Sequence, residues 1–374
     1  MKIIIAPDSF KGCMRSPDVC EAFKKGLARE IPDAEIISIP MADGGEGTVE
    51  AAVAATGGSL KKVTVSGPLG KKVKARFGIL GKSKTAIMEM ASASGIELLK
   101  REELNPLKAS TYGTGELINA IIRDGFREII IGIGGSATVD GGAGMAQALG
   151  YNLLDKKGDE IQHGGAGLLN LKKILSCNAN PLLSKVKIRV ACDVKNPLLG
   201  RNGAAKIFGP QKGASPHMVE QLEKALSNYS KILKSSAFLK STDNPGDGAA
   251  GGLGTGLRAF CNSTFVSGAE LMIELSEMKK HLKTADFIIT GEGCTDSQTS
   301  SGKLCSVIAQ TARKAKVPVI LISGALKGNT EKFNDVFDAV FSISAGPCSL
   351  DEAILSAKKN IVLTARNIAR LIRN

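Results

Sequence analysis

The chain has no tryptophan, three tyrosines and three histidines, and aromatic residues fill 4% of its 374 positions. So small an aromatic set leaves little for stacking bases. No recognisable nucleic-acid motif appears either, which argues against the nucleic-acid partner that a formal charge of +13 invites. The densest basic stretch, 61–84, holds no acidic residue, yet Lys72, Lys74 and Arg76 alternate with Val73, Ala75 and Phe77. That period of two describes a half-exposed strand with a solvated lysine face. The eight cysteines, at 13, 20, 177, 192, 261, 294, 305 and 348, form no C-x-x-C pair, and His163, His217 and His281 are too few to complete a zinc cluster. Reduced thiols are expected. The apolar run near the N-terminus is too short for a signal peptide, and no run is long enough for a membrane span, so a cytoplasmic protein with no membrane partner is expected. The usual phosphate-loop signature G-x-x-x-x-G-K-[ST] is also missing: Leu304 follows Gly302-Lys303, and Ser297 stands five positions before that glycine. No protein-kinase catalytic loop or D-F-G is present.

Glycine, by contrast, is abundant, at 43 residues clustered where apolar runs end. Such loops let the backbone take φ > 0 and approach a ligand closely. The stretch 286–303 shows the pattern best. Phe287, Ile288 and Ile289 read as a buried parallel strand, Gly291 and Gly293 bracket Glu292, and Asp296, Gln298 and Thr299 lead to a helix predicted near Gly302-Lys303. A strand, a polar glycine loop and a helix N-terminus together suit an anionic ligand. The same constellation recurs along the chain. Lys2–Ala6 reads as a strand delivering Asp8, Ser9 and Lys11, the place where open α/β sheets bind ligands. Ser16-Pro17 reads as N-cap and first residue of the next helix. A strand over 35–39 delivers Asp43, Gly44, Gly45 and Glu46, and one over 128–133 runs into Gly134, Gly135 and Ser136. A strand over 187–192 delivers Asp193 beside Asn196; Asp193 is readable as a base or metal ligand, and the pair as an Asx-turn before Pro197. Gly132-x-Gly134-x-x-Ala137, with Asp155 further on, mimics a dinucleotide fingerprint, although a second Asp-Gly-Gly interrupts where the helix should have formed. The glycine run 246–256 reads as a tight, backbone-packed loop.

Strands and helices alternate up to residue 66. After Gly67-Pro68 antiparallel strands are predicted at 72–80 and 85–90, and the alternation resumes near Asp286. Three or four strands at each end are too few for a covered parallel sheet alone, so they are expected to join. The predicted fold class is α/β with two domains. A doubly wound parallel sheet is built from residues 1–66 and 286–374, and a mixed α/β middle domain, 67–285, is inserted. Carboxylate–glycine loops with intermittent lysines fit phosphoryl transfer, which needs a positioned acceptor, charge neutralisation and Mg²⁺ on one or two carboxylates. From the residues alone, a hydroxy-acid oxidoreductase using NAD(P) and a non-catalytic anion-binding protein stay open.

The segments 6–12, 42–48, 132–144, 191–198 with 209–213, 248–256 and 290–303, taken in order, resemble the successive motifs of the bacterial glycerate kinase family, type I. Val139 departs from the Asn of many relatives. The resemblance implies transfer of phosphate from ATP to D-glycerate with Mg²⁺, 2-phosphoglycerate as product, and a flavodoxin-like domain facing a distinct middle domain across the active-site cleft. On the matching positions it implies Asp193 as base, Asp43 and Asp296 as metal ligands, and Lys11 and Lys303 as neutralising cations. Substrate or nucleotide contacts would come from Asp8, Ser9, Gly44, Gly45, Glu46, Gly135, Ser136, Asn196, Gln211, Lys212 and Glu292.

Overall fold

The computed structural model describes residues 1–81, 83–296 and 303–373. In chain order the first elements are β1 (Lys2–Ile5), α1 (Ser16–Glu30), β2 (Glu35–Ser38), α2 (Thr48–Thr56), β3 (Ser59–Ser66), β4 (Lys72–Ile79) and β5 (Thr85–Glu89). Then come α3 (Ala91–Ser94), α4 (Tyr112–Arg123), β6 (Glu128–Gly132), α5 (Ala143–Ala148), β7 (Asn152–Leu154), β8 (Lys173–Leu175) and β9 (Lys187–Ala191). They are followed by α6 (Ala204–Phe208), α7 (Pro216–Ser235), α8 (Ala249–Cys261), β10 (Thr264–Val266), α9 (Gly268–Leu275) and α10 (Met278–Leu282). The chain closes with β11 (Phe287–Thr295), α11 (Leu304–Lys314), β12 (Val319–Leu326), β13 (Ala339–Ser342) and α12 (Leu350–Ile372). Two compact units result, one of Met1–Asp43, Glu50–Gly58 and Ser267–Asn374, the other of Gly44–Val49 and Ser59–Val266.

In the first unit both chain ends contribute to a five-stranded parallel sheet ordered β13-β12-β11-β1-β2. Its central strands are apolar on consecutive residues (Ile3, Ile4 and Ile5 are wholly buried), as a parallel strand covered on both faces requires. Each such isoleucine contributes about 1.5–3 kcal/mol on leaving water. Ile3 and Ile5 pack with Val19, Phe23 and Leu27 of α1 and with Ile361, Ala365 and Ile368 of α12. Those two helices approach closely because Gly26 has no side chain: a Cβ there would lie 2.6 Å from that of Ala365. Glu30 pairs with Arg366, Arg370 and Arg373, tying the C-terminal end of α1 to the last turns of α12. α12 begins on a capping box, with Ser349 accepting from Glu352 N and the Glu352 carboxylate from Ser349 N.

The second unit holds a six-stranded sheet ordered β10-β9-β6-β5-β4-β3, parallel from β10 to β5 and antiparallel through β4 and β3, with a small β7–β8 ribbon. The expected boundaries shift here. β3, assigned from sequence to the terminal domain, pairs along its whole length with β4, from Ser59↔Ile79 to Ser66↔Lys72. α9 and α10, expected in the middle domain, belong to the first unit. The tight, backbone-packed loop predicted at 246–256 is found over its first part, where Ala250, Gly251 and Gly252 take positive, non-helical φ, and its last residues are already in the regular part of α8. Close backbone packing is its reason, since a Cβ on Gly251 would collide with the Thr138 carbonyl.

Candidate functional site

The sheet order of the first unit reverses between β1 and β11. From that point β1 leads outward to β2, and β11 leads the other way through β12 to β13. In doubly wound sheets the carboxyl ends at such a switch point hold the ligand. Here they open into a cavity of 460 Å³ whose lining includes Asp8, Ser9, Lys11, Asp43, Glu292 and Lys303.

Asp8 follows β1 and is anchored by its N–H donating to the Gly291 carbonyl of β11 (2.8 Å), while its Oδ1 accepts from Ser9 N (2.7 Å). It is 8% exposed. Burial first, and then the neighbouring Asp43 carboxylate, push the Asp8 carboxyl up to about 7 against the opposing pull of Ser9 and Lys11. Lys11 stands 3.7 Å from Asp43, and that carboxylate raises the ammonium's pKa. Lys303, the residue preceding α11, pairs with Asp296 at 3.6 Å.

Two local readings change. Ser16 is the first residue of α1 and Arg15 holds the cap position. The Ser16 hydroxyl donates to the Pro7 carbonyl (2.7 Å) and accepts from Met41 N (2.9 Å), joining the loops after β1 and β2 that carry Asp8 and Asp43. Glu292, predicted in a loop, lies within β11 and pairs in register with Ser323 of β12. The strand runs on because Gly291 and Gly324 let the β11 and β12 backbones stay close, while Gly293 leaves room for the backbone of Phe10 and Lys11. Gln298, Thr299 and Gly302, named from the sequence, lie outside the described residues.

The remaining sequence candidates belong to the second unit. Gly44, with φ +91°, sits against β9: a Cβ on it would lie 3.0 Å from the Ala191 carbonyl. A Cβ on Gly134 would lie 2.7 Å from Gly45 Cα. The Gly44-Gly45 backbone therefore rests on the carboxyl ends of β6 and β9, the second of which delivers the exposed Asp193 two residues later. Glu46 and Gln211 are exposed, as is Gly135 at φ +71°. Asn196 spends its side-chain amide on the Asn202 carbonyl (2.8 Å).

Lys212 is turned inward. It is 1% exposed, and its ammonium donates to Ser136 Oγ (2.6 Å) and the Thr138 carbonyl (2.7 Å). Burial pulls its pKa down to about 7, opposed by the charge of Asp140. It holds the 134–138 loop from beneath. Asp140 is itself wholly buried and accepts from Thr111 N and Oγ1 (both 2.8 Å), Gly142 N and Gly144 N.

Glu89, at the end of β5, was missed in the sequence; it is 5% exposed and accepts from Val49 N (2.9 Å) at the start of α2. Asp247, wholly buried and paired with Arg258 at 2.9 Å, was missed too. Their one local signal is an acidic residue amid apolar or small neighbours. The dinucleotide fingerprint does not take its required form, because ten residues separate β6 from α5, which is itself only six residues long.

Among the described residues, no three His, Cys, Asp or Glu side chains gather closely enough to hold a metal ion alone. Phosphoryl-transfer Mg²⁺ ordinarily takes only one or two carboxylates, with phosphate oxygens and water completing the shell. The hard-oxygen carboxylate of Asp43, which lines the cavity beside Asp8, fits such a partly supplied cation.

A family model described as the glycerate kinase family matches residues 3–373. The chain is 48% identical over 370 residues to the glycerate 2-kinase of Escherichia coli (strain K12), covering 99% of this chain and 97% of that protein. It is 46% identical over 368 residues to a glycerate kinase of Halalkalibacterium halodurans, covering 98% and 97%. A crystal structure from Salmonella typhimurium LT2, whose glycerate kinase 2 designation is provisional, superposes with a TM-score of 0.90 at 45% identity, covering 100% of this chain and 98% of that one. No helix among the described residues is long and apolar enough to cross a membrane.

Proposed function

The chain belongs to the glycerate kinase family, and from that premise we propose that it transfers the γ-phosphoryl group of ATP to the 2-hydroxyl of D-glycerate. The observation that supports this reading best is the cavity at the β1/β11 switch point, whose lining includes the carboxylates of Asp8, Asp43 and Glu292 and the lysines Lys11 and Lys303. Phosphoryl transfer asks little covalent chemistry of a protein; it asks for position and charge control.

In the proposed reaction the glycerate hydroxyl oxygen bonds to the γ-phosphorus while the bond from that phosphorus to the β–γ bridging oxygen breaks, and ADP leaves. Asp193 accepts the hydroxyl proton. Lys11 and Lys303 offset charge on the phosphates or the substrate carboxylate. Asp43 and Asp296 are the carboxylates proposed to hold Mg²⁺, which when bound neutralises phosphate charge. Gly44, Gly45, Gly135 and Ser136 offer N–H and hydroxyl contacts.

A coupled ADP-release assay with a panel of small hydroxy acids tests the reading. ADP release with D-glycerate supports it; a change at 340 nm with NAD(P)⁺, or binding without turnover, refutes it. The site of phosphorylation follows from the proton-coupled ³¹P spectrum of the product. A phosphate on C2 sees one carbon-bound proton and gives a doublet, whereas one on C3 sees two and gives a triplet.

A further inference from the structure

The cavity of the first unit is lined by two unlike sets of side chains. Asp8, Lys11, Asp43, Glu292 and Lys303 are charged. Phe10 and Cys13, from the turn after β1, and Leu350, Ala353, Ile354 and Ala357, from the first two turns of α12, are apolar. Leu350 is 75% exposed there, although it opens a helix whose later apolar residues Ile361 and Ile368 are buried. The Cys13 thiol contacts the Ile354 carbonyl at 3.5 Å, so the turn and the helix form one continuous wall. Asn360 also lines the cavity, and its amide carries both donors and an acceptor.

D-Glycerate cannot account for this wall. Each of its three carbons bears oxygen, so it has no apolar face to bury, and a phosphoryl group has none either. Of the groups that the proposed reaction brings together, only the nucleobase is broad, flat and weakly polar on its faces. A cavity of 460 Å³ falls within the range of roughly 300–1,000 Å³ that takes ligands of nucleoside size.

We propose that this cavity of the first unit is the nucleotide site. The polyphosphate lies against the carboxylates and lysines, and the base lies between the Phe10–Cys13 turn and the start of α12, with Asn360 meeting its polar edge. The assignment rests on the kinase reading for the identity of the ligand, and the apolar wall decides which of the two substrates enters here.

The test is Ala353→Trp, which fills the space along the apolar wall from a half-exposed position in the first turn of α12. Binding of the fluorescent analogue mant-ADP to the full chain without glycerate is measured beside steady-state kinetics. The expected result is a rise of about tenfold or more in both the mant-ADP Kd and the KM for ATP, with the KM for D-glycerate within about twofold of wild type and an unchanged melting temperature. Asn360→Ala, a milder change, is expected to narrow the preference for ATP over GTP without altering the KM for glycerate. Unchanged mant-ADP binding in Ala353→Trp, or a raised KM for glycerate alone, overturns the assignment. Failure of the kinase reading shows separately, as a wild-type protein that binds mant-ADP but releases no ADP with glycerate.

Discussion

Replacing Lys212 by methionine should remove a pH dependence from the stability of the second unit while keeping a side chain of similar length. An ordinary lysine releases its proton near 10.5, whereas burial brings Lys212 down to about 7 in the folded protein. Between those values the unfolded chain carries a proton that the folded chain has released, so wild-type stability rises with pH. The slope is about 1.4 kcal/mol per pH unit, or ~2 kcal/mol between pH 7 and 8.5. Methionine has no such proton. The two proteins also differ by an offset, because the substitution takes the amine donor from Ser136 Oγ and the Thr138 carbonyl, at about 0.5–1.5 kcal/mol per bond. Only the slope of the difference is therefore diagnostic. Cys20, Cys261 and Cys305, whose thiols burial pushes up, are common to both proteins and cancel. Urea unfolding followed by far-UV circular dichroism suits a chain without tryptophan. Curves for wild type and Lys212→Met that stay parallel to within ~0.5 kcal/mol from pH 7 to 8.5 would refute the reasoning.

Further outcomes are expected elsewhere. Asp193→Asn should lower turnover by roughly 10²–10⁴-fold with nucleotide binding intact, and near-normal turnover would remove Asp193 from the mechanism. Glu30→Gln should lower the melting temperature at neutral pH. Bonds from Arg370 and Arg366 hold the Glu30 carboxyl down at about 2, so its contribution is fully present above 4.5 and fades as pH falls toward 2. A melting-temperature gap that is the same at pH 3 as at pH 7 would contradict this. Gly251→Ala should cost on the order of 3 kcal/mol or more, from a positive φ and a collision with the Thr138 carbonyl, measured by chemical unfolding. A loss below ~1 kcal/mol would mean that the loop yields.

Much of the scaffold was legible because its causes are local. The apolar triplets of β1 and β11, the spacing of Val19, Phe23 and Leu27, and the caps Ser215 and Ser349 each declare an element within a few residues. What depends on distant partners was harder to read. Lys212 sits in a Gly-Pro-Gln-Lys-Gly loop that reads as exposed, and only the arrival of Ser136 and Thr138 from more than seventy residues away turns it inward. β3 carries the same alternation whichever sheet receives it, so its pairing with β4 could not be told from period alone. Asp8, Lys11, Asp43, Glu292 and Lys303 were all named from loop chemistry, and the parallel order of the first sheet gathers them around one opening. Glu89, Asp140 and Asp247 were passed over because an acidic residue amid apolar or small neighbours marks an exposed turn as readily as a buried carboxylate.

The glycines at 142, 251 and 256 bring main chain against main chain, the nearest atom to an added Cβ being backbone at each. Such a contact has no adjustable part, so even a single methyl group forces the strands of backbone themselves to move. A growth-based scan of all single substitutions would mark these positions as strongly as a proton-accepting carboxylate. The yield of soluble protein separates the two kinds of intolerance: it collapses for the glycines and holds for Asp193.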